Sequence, residues 1–236
     1  VFDKEASFVE AVITLLKQHG WNDAEGVLRY PTEQDLIDNW AKILFNNNAG
    51  IDRLNGCPLT QGEMAQVIEQ IETLKTPLAL NGFINGKTVA ITRDNPDDAL
   101  HLGKEVSLKI YDRQEIAAGQ SRYQIAQQPI YPAKSKILND RRGDLCLLIN
   151  GMPVIHIELK RSGVPVSQAT GQIEKYAHEG VFTGLFRLVQ IFVGLTPDEA
   201  RYFANPGTGA FNPNFFFHWE DFNNELVCAG DKPGTD

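Results

Sequence analysis

Cysteine, methionine, positive charge and long apolar runs are all scarce in this 236-residue chain. Three cysteines, Cys57, Cys146 and Cys228, are odd in number, widely spaced and free of a Cys-x-x-Cys pair. That argues against a disulfide frame or a zinc site and predicts reduced thiols in a cytoplasmic protein. No apolar stretch reaches the length of a bilayer span, so no membrane association is expected. No signal segment is read at the start, and the opening Val1-Phe2-Asp3 without methionine predicts a processed or excised chain. Lysine and arginine total 22 against 30 acidic residues, a net charge of −8, which argues against a general nucleic-acid coat. His19, His101, His178 and His218 form no metal-spaced set. Repeats and long low-complexity tracts are also missing.

What remains is ordinary globular material: 42% hydrophobic and 22% charged residues, enough chain for one sizeable domain. Residues 4 to about 19 predict an amphipathic helix with Phe8, Val12, Leu15 and Leu16 as its apolar stripe, ended by Gly20. A second helix is expected from Thr32 or Glu33 to about Asn46, and Thr60-Gln-Gly-Glu63 is a capping box opening a third to about Lys75. These two helices read as an insertion over about 30–76 packed beside a sheet, with Trp40, Phe45, Met64 and Ile68 as core. Gly82 to Thr88 imitates a phosphate loop but has three residues between its glycines where four are needed, so it reads as strand-turn-strand. Strands are expected over Val106–Tyr111, Arg122–Ile130, Leu188–Gly194 and Arg201–Asn205, and a helix from Val166 to about His178. The aromatic run Phe211 to Trp219 is expected to close the core, and 226–236 to form a flexible tail. The domain proper then covers 1–225.

The chemistry concentrates in residues 140–161. Leu145 to Ile149 is a continuous apolar strand of the kind buried on both faces, and Asn150-Gly151 is a strong hairpin turn. On the returning strand His156, Glu158 and Lys160 share one face and Ile155, Ile157 and Leu159 the other. A plain two-residue turn would pair Asp144 with Ile157 and put Asp144 and Glu158 on opposite faces. A shared site therefore requires an odd-length loop or a β-bulge. Carboxylates buried at a sheet rim must hold a cation or one another. Lys134, Lys136, Arg141, Arg142, Lys160 and Arg161 fall in the same window, as a local phosphate-binding patch or as a solvated face. Gln168, Gln172 and Tyr176 follow at helical spacing on one face. His156, a lone strand histidine, reads as a packing or hydrogen-bonding residue before a ligand.

Asp144, Glu158-Leu159-Lys160 and Gln172-Ile-Glu-Lys-Tyr176 in this order resemble the PD-(D/E)XK nuclease signature with the Gln-x-x-x-Tyr helix of one of its branches. The wording around them is similar to the N-terminal nuclease domain of the restriction (R, motor) subunit of type I restriction-modification enzymes, most clearly over about 140 to 220. The resemblance implies an α/β fold, a restriction-endonuclease-like mixed sheet flanked by helices with a helical N-terminal insertion. It implies Mg²⁺-dependent hydrolysis of double-stranded DNA, with Asp144, Glu158 and the Leu159 carbonyl as metal ligands. Lys160 would act on the attacking water or the phosphate. Gln172 and Tyr176 would position Lys160 or the DNA, and Glu5 would complete the outer shell. For Glu5 a plain helix-end acid is the competing reading, and Glu10 is the alternative residue. Arg141, Arg142, Lys160 and Arg161 would meet DNA. Modification and specificity subunits are the implied partners, and ATP would enter only through motor domains whose motifs this chain does not contain. Two other functions stay open: a stand-alone repair or mobile-element nuclease, and a nuclease-like module that docks DNA or subunits without cutting. In the plainest alternative, Glu158 and Lys160 are a same-face ion pair beside Asp144.

Overall fold

The computed structural model describes residues 2–49, 54–85, 88–110, 121–132 and 139–220. Lys134, Lys136, Cys228 and the expected tail 226–236 lie outside the described residues, as do Gly86 and Lys87 of the phosphate-loop imitation.

Helix α1 runs Glu5–Gln18 and ends before Gly20, whose φ of 98° only glycine takes without strain. Phe8, Val9 and Ile13 are its buried residues; of the expected stripe, Val12 and Leu16 pack beside them on the same cluster and Leu15 stands in solvent. A two-residue strand β1 (Leu28–Arg29) follows, then α2 (Glu33–Asn48) and α3 (Gln61–Thr73). Both helices open on reciprocal capping boxes, Thr32 with Asp35 and Thr60 with Glu63. The next element corrects the expected strand-turn-strand: Pro77–Ile84 is a helix, α4, with Thr76 as N-cap and proline at its first position. Only the second limb is a strand, β2 (Thr88–Thr92), paired with β3 (Glu105–Lys109). Strands β4 (Tyr123–Gln127), β5 (Ile130–Tyr131), β6 (Arg141–Arg142), β7 (Leu145–Ile149) and β8 (Met152–Leu159) come next, then α5 (Ser167–His178). Gly184–Leu188 is a 3₁₀ turn, so the strand expected from Leu188 starts later, as β9 (Ile191–Leu195), followed by β10 (Ala200–Ala204) and β11 (Phe217–His218).

The main sheet has the order β1-β4-β7-β8-β9-β10-β11 and is mixed: β1–β4 and β8–β9 are parallel, the other neighbours antiparallel. Its two faces are covered differently. Phe8, Val9 and Ile13 of α1 pack on Ile125, Leu145, Leu147, Ile157 and Leu159. On the other face Leu36, Trp40 and Leu44 of α2 and Met64, Val67 and Ile71 of α3 share a core with Ala126, Cys146, Leu148 and Val154. The segment expected as an insertion therefore packs directly on the centre of the sheet. This is the expected α/β architecture, a mixed sheet flanked by helices. Phe211 and Phe216 do close on Phe203, the latter stacked at 3.9 Å. Phe215, Phe217 and Trp219 stand in solvent, which restricts the expected core role of that run to its inner rings.

A second buried feature ties the β2–β3 hairpin to α3. Arg93 is fully buried and donates to Glu63 at 2.6 Å and Asp98 at 2.9 Å, and to the Cys57 carbonyl at 3.1 Å. Glu63 also accepts from the backbone N–H of Thr60 and of Asp94. Every charge here has its partners, the condition under which buried ions are tolerated.

The β7–β8 turn is as tight as two residues allow, with Asn150 at φ 51° and Gly151 at φ 84°. A Cβ on Gly151 would sit 2.9 Å from the Trp40 Cα, so this glycine answers both a backbone and a space requirement. Gly151→Ala is expected to lower unfolding free energy in urea by about 2–4 kcal/mol, strain plus overpacking. Gly163→Ala, at φ 78° but with open space around it, should lose only about 1–2 kcal/mol. Equal losses would show that the approach to α2 is not the constraint.

Candidate active site

The strand register decides what can meet. Ile149 pairs with Met152 and Leu148 with Pro153, but Leu147 pairs with Ile155 and Leu145 with Ile157, because the ladder shifts between Leu147 and Leu148. The returning strand holds one extra residue, the bulge that a shared site requires. Beyond it, Asp144 comes opposite Glu158, and both share the face of Cys146 and His156. The β8 strand carries Glu158 into the sheet between β7 and β9, opposite Gly194.

Glu158 is fully buried, and neither carboxylate oxygen has an aligned hydrogen-bond partner. The Nε2 of His156 lies 3.0 Å from Glu158 Oε1, at an angle that does not make a good hydrogen bond. Asp144 is largely enclosed and accepts the Leu159 backbone N–H at 2.7 Å. Burial first, and then the neighbouring Glu158 charge, raises the Asp144 carboxyl to about 7. Burial raises Glu158 to about 8 against the opposing pull of Lys160 and of its contact with Asp144. The pair thus retains a proton near neutral pH unless a cation replaces it.

Lys160 stands at the same rim, its ammonium 3.0 Å from the Leu159 carbonyl oxygen and 3.7 Å from Glu5 Oε2 at the start of α1. Glu10 is turned elsewhere, accepting from Gln127 at 2.8 Å and lying 3.5 Å from Arg29. On α5, Gln172 donates to the Tyr176 hydroxyl at 2.7 Å, and that hydroxyl donates to the Arg142 carbonyl at 2.8 Å. The stripe is therefore not a solvent face at Tyr176, which is buried, though Gln168 is exposed. Tyr176 itself is raised to about 12, by burial and then by Glu158. Arg141 grips Glu179 in a two-point bridge at 2.6 and 2.8 Å, whereas Arg142 and Arg161 are exposed.

Among the described residues no three His, Cys, Asp or Glu side chains form a cage that could hold a metal alone. The site offers two carboxylates and the adjacent Leu159 carbonyl instead. An all-oxygen set of this size suits an ion that keeps several of its waters, as Mg²⁺ does. The unpartnered buried oxygens of Glu158 are what such an ion would satisfy. His156 and its partner Tyr131, 2.7 Å apart through Nδ1 and the hydroxyl, did not stand out in the sequence as parts of a site. Only the parity of His156 with Glu158 signalled it.

A family model described as type I restriction enzyme R protein N terminus matches residues 4–211. The match extends well toward the N-terminus of the segment where the sequence resemblance is strongest. Among curated proteins, the type I restriction enzyme SsaAORF53P endonuclease subunit of Staphylococcus saprophyticus is 30% identical over 227 residues, 96% of this chain and 22% of that protein. The SauMSSORF170P endonuclease subunit of Staphylococcus aureus is 29% identical over 194 residues, 82% of this chain and 19% of that protein. The EcoprrI endonuclease subunit of Escherichia coli is 27% identical over 215 residues, 84% of this chain and 67% of that protein. The chain thus spans about a fifth of the length of the two staphylococcal relatives.

The raised carboxyls have a stability consequence. Below about pH 4 the folded and unfolded chains both carry these protons; as pH rises the unfolded chain releases them first, so folding stability falls up to about pH 8. In chelator at pH 8.5, Asp144→Asn is expected to be more stable than wild type by on the order of 1–2 kcal/mol, an advantage that vanishes by pH 4. Thermal melts across that range check it, and no gain at pH 8.5 would contradict the electrostatics.

Proposed function

The chain belongs to the type I restriction enzyme R protein N-terminal family, and from that premise we propose that it is the DNA-cleaving module of such a subunit, a Mg²⁺-dependent endonuclease of the PD-(D/E)XK kind. The observation that carries this reading is the bulge-shifted register, which sets Asp144 opposite Glu158 with the Leu159 carbonyl beside them and leaves both Glu158 oxygens without partners.

Asp144, Glu158 and the Leu159 carbonyl are the proposed ligands. When bound there, a divalent ion supplies polarisation of the scissile phosphate and a lowered pKa for the attacking water. The protein's own groups do the rest. Asp144 is fixed by the Leu159 N–H and faces Glu158. Lys160 orients the water or offsets charge growing on the phosphate, and its ammonium is already at the right edge of the strand. Glu5 holds Lys160 from the α1 side. Tyr176, steadied by Gln172, pins the Arg142 carbonyl two residues before Asp144 and so fixes the approach of that carboxylate. Arg142 and Arg161 are placed to meet phosphates of double-stranded DNA. Arg141 joins them only by leaving Glu179.

In this reading the target sequence comes from modification and specificity subunits, and ATP is used by motor domains of the longer subunit, in the cytoplasm. Calorimetric titration of Mn²⁺ into folded wild type, Asp144→Ala and Glu158→Ala tests the centre of the proposal. Binding is expected in wild type and lost in both variants. Lys160→Ala should keep the ion but lower DNA cleavage by the full subunit at least 100-fold, on the order of 3 kcal/mol of barrier. No binding to wild type would favour the docking module over the nuclease.

A further inference from the structure

Glu158 sits at the end of a chain of buried groups that the cleavage reading does not use. His156, two residues earlier on the same face of β8, is fully buried, with Nε2 3.0 Å from Glu158 Oε1 and Nδ1 2.7 Å from the Tyr131 hydroxyl. Tyr131 is also fully buried and is wedged edge-on against Phe186 at 4.5 Å and against Phe182 at 6.1 Å. Phe182 and Phe192 press on the imidazole from 5.2 and 6.1 Å. Gly143, the residue before Asp144, completes the enclosure: a Cβ there would come 2.7 Å from His156 Cε1 and 2.8 Å from the Tyr131 oxygen. The backbone that delivers one carboxylate thus lies directly on the pair that touches the other.

The donor inventory fixes the direction of this chain. Once a cation replaces the shared proton, the Glu158 carboxylate can only accept, so an imidazole nitrogen facing it at 3.0 Å then carries the proton. A neutral imidazole then has a lone pair on Nδ1, and the phenol must donate to it. We propose that Tyr131 and His156 are positioning residues for Glu158: the Tyr131 hydroxyl donates to His156 Nδ1, and the His156 Nε2–H is turned toward the Glu158 carboxylate. The ring is enclosed by Phe182 and Phe192 and meets the buried Tyr131 phenol at 2.7 Å, a setting that suits an uncharged imidazole. Because Nε2–H meets the carboxylate off the ideal line, it steers the group without occupying it, and both oxygens stay available. A cationic residue in this place would compete with the metal ion; a neutral N–H does not. Outer groups that orient a ligand in this way affect affinity although they never touch the ion. The inference rests on Glu158 being a cation ligand.

Two measurements on the same chain separate the inference from that reading. With ¹⁵N-labelled histidine at pH 9, long-range ¹⁵N–¹H correlation is expected to give the Nε2–H tautomer for His156. In Tyr131→Phe the Nδ1 resonance should move toward that of an unbonded ring nitrogen. An Nδ1–H tautomer in wild type, or an unmoved Nδ1 in the variant, overturns the pair, and both readouts are independent of any metal. By Mn²⁺ calorimetry, His156→Phe should bind roughly tenfold or more weakly per folded molecule, and Tyr131→Phe more weakly than wild type. His156→Gln, which keeps an N–H near the Nε2 position, should recover part of the loss. A merely structural role would lower melting temperature and leave the affinity of the folded fraction unchanged, which would also overturn the inference. Failure of wild type to bind Mn²⁺ would sink the cation reading itself, while the tautomer result would still decide whether the pair orients Glu158.

Discussion

Two carboxyl groups forced together where water cannot screen them set the terms for the rest of this structure. In water such a pair would separate; at the end of β7 and β8 the ladder holds them opposite each other. The neighbouring groups read as partial compensation. The Leu159 N–H takes one Asp144 oxygen, Lys160 stands at the rim, and the His156 ring lies against Glu158. None of these neutralises the pair, so in the absence of a cation a proton does.

The same molecule shows what a settled buried charge looks like. Around Arg93 the two carboxylates are opposed by a guanidinium and backbone N–H groups, and nothing is left over. Around Glu158 the carboxylate meets only the facing Asp144 carboxyl and an off-line His156 nitrogen. A chain that can satisfy one buried cluster fully, yet leaves the other open, spends stability there for a reason other than folding. Rigidity is supplied by the apolar layers on both faces: α1 over Leu145 and Ile157, and α2 with Trp40 under the turn.

The fold class and most elements were legible because their signals are local. Capping boxes at Thr32 and Thr60, the alternation along β8 and the Asn150-Gly151 turn each determine structure within a few residues. The need for a bulge could be reasoned from parity alone, but not its location. The α4 helix is hard to see in the sequence because Pro77–Ile84 is short, apolar and interrupted by Gly82, so the Thr76-Pro77 start signal has little periodicity to support it. The periodicity of α1 gives Phe8, Val12 and Leu16 of the sheet-facing side, while the sheet it meets decides that Val9 and Ile13 lie deepest. Within the site, the strand residues were visible and the long-range ones were not. Nothing near Arg141 announces Glu179, 38 residues on, and nothing near His156 announces Tyr131.

The bulge also fixes how this hairpin can change over time. Amino-acid replacements along β7 and β8 alter one contact each, but a residue gained or lost between Asp144 and Glu158 with the turn and the bulge unchanged turns one carboxylate to the opposite face. Such an event would bring Ile157 onto the carboxylate face and Glu158 into the apolar layer beneath α1, disturbing site and core together. Loss of the bulged residue itself is the exception: a plain two-residue hairpin, one residue shorter between the acids, pairs them again. Turn, bulge and chain length are thus inherited as one unit, a counting rule imposed by pleat geometry that no single side chain encodes.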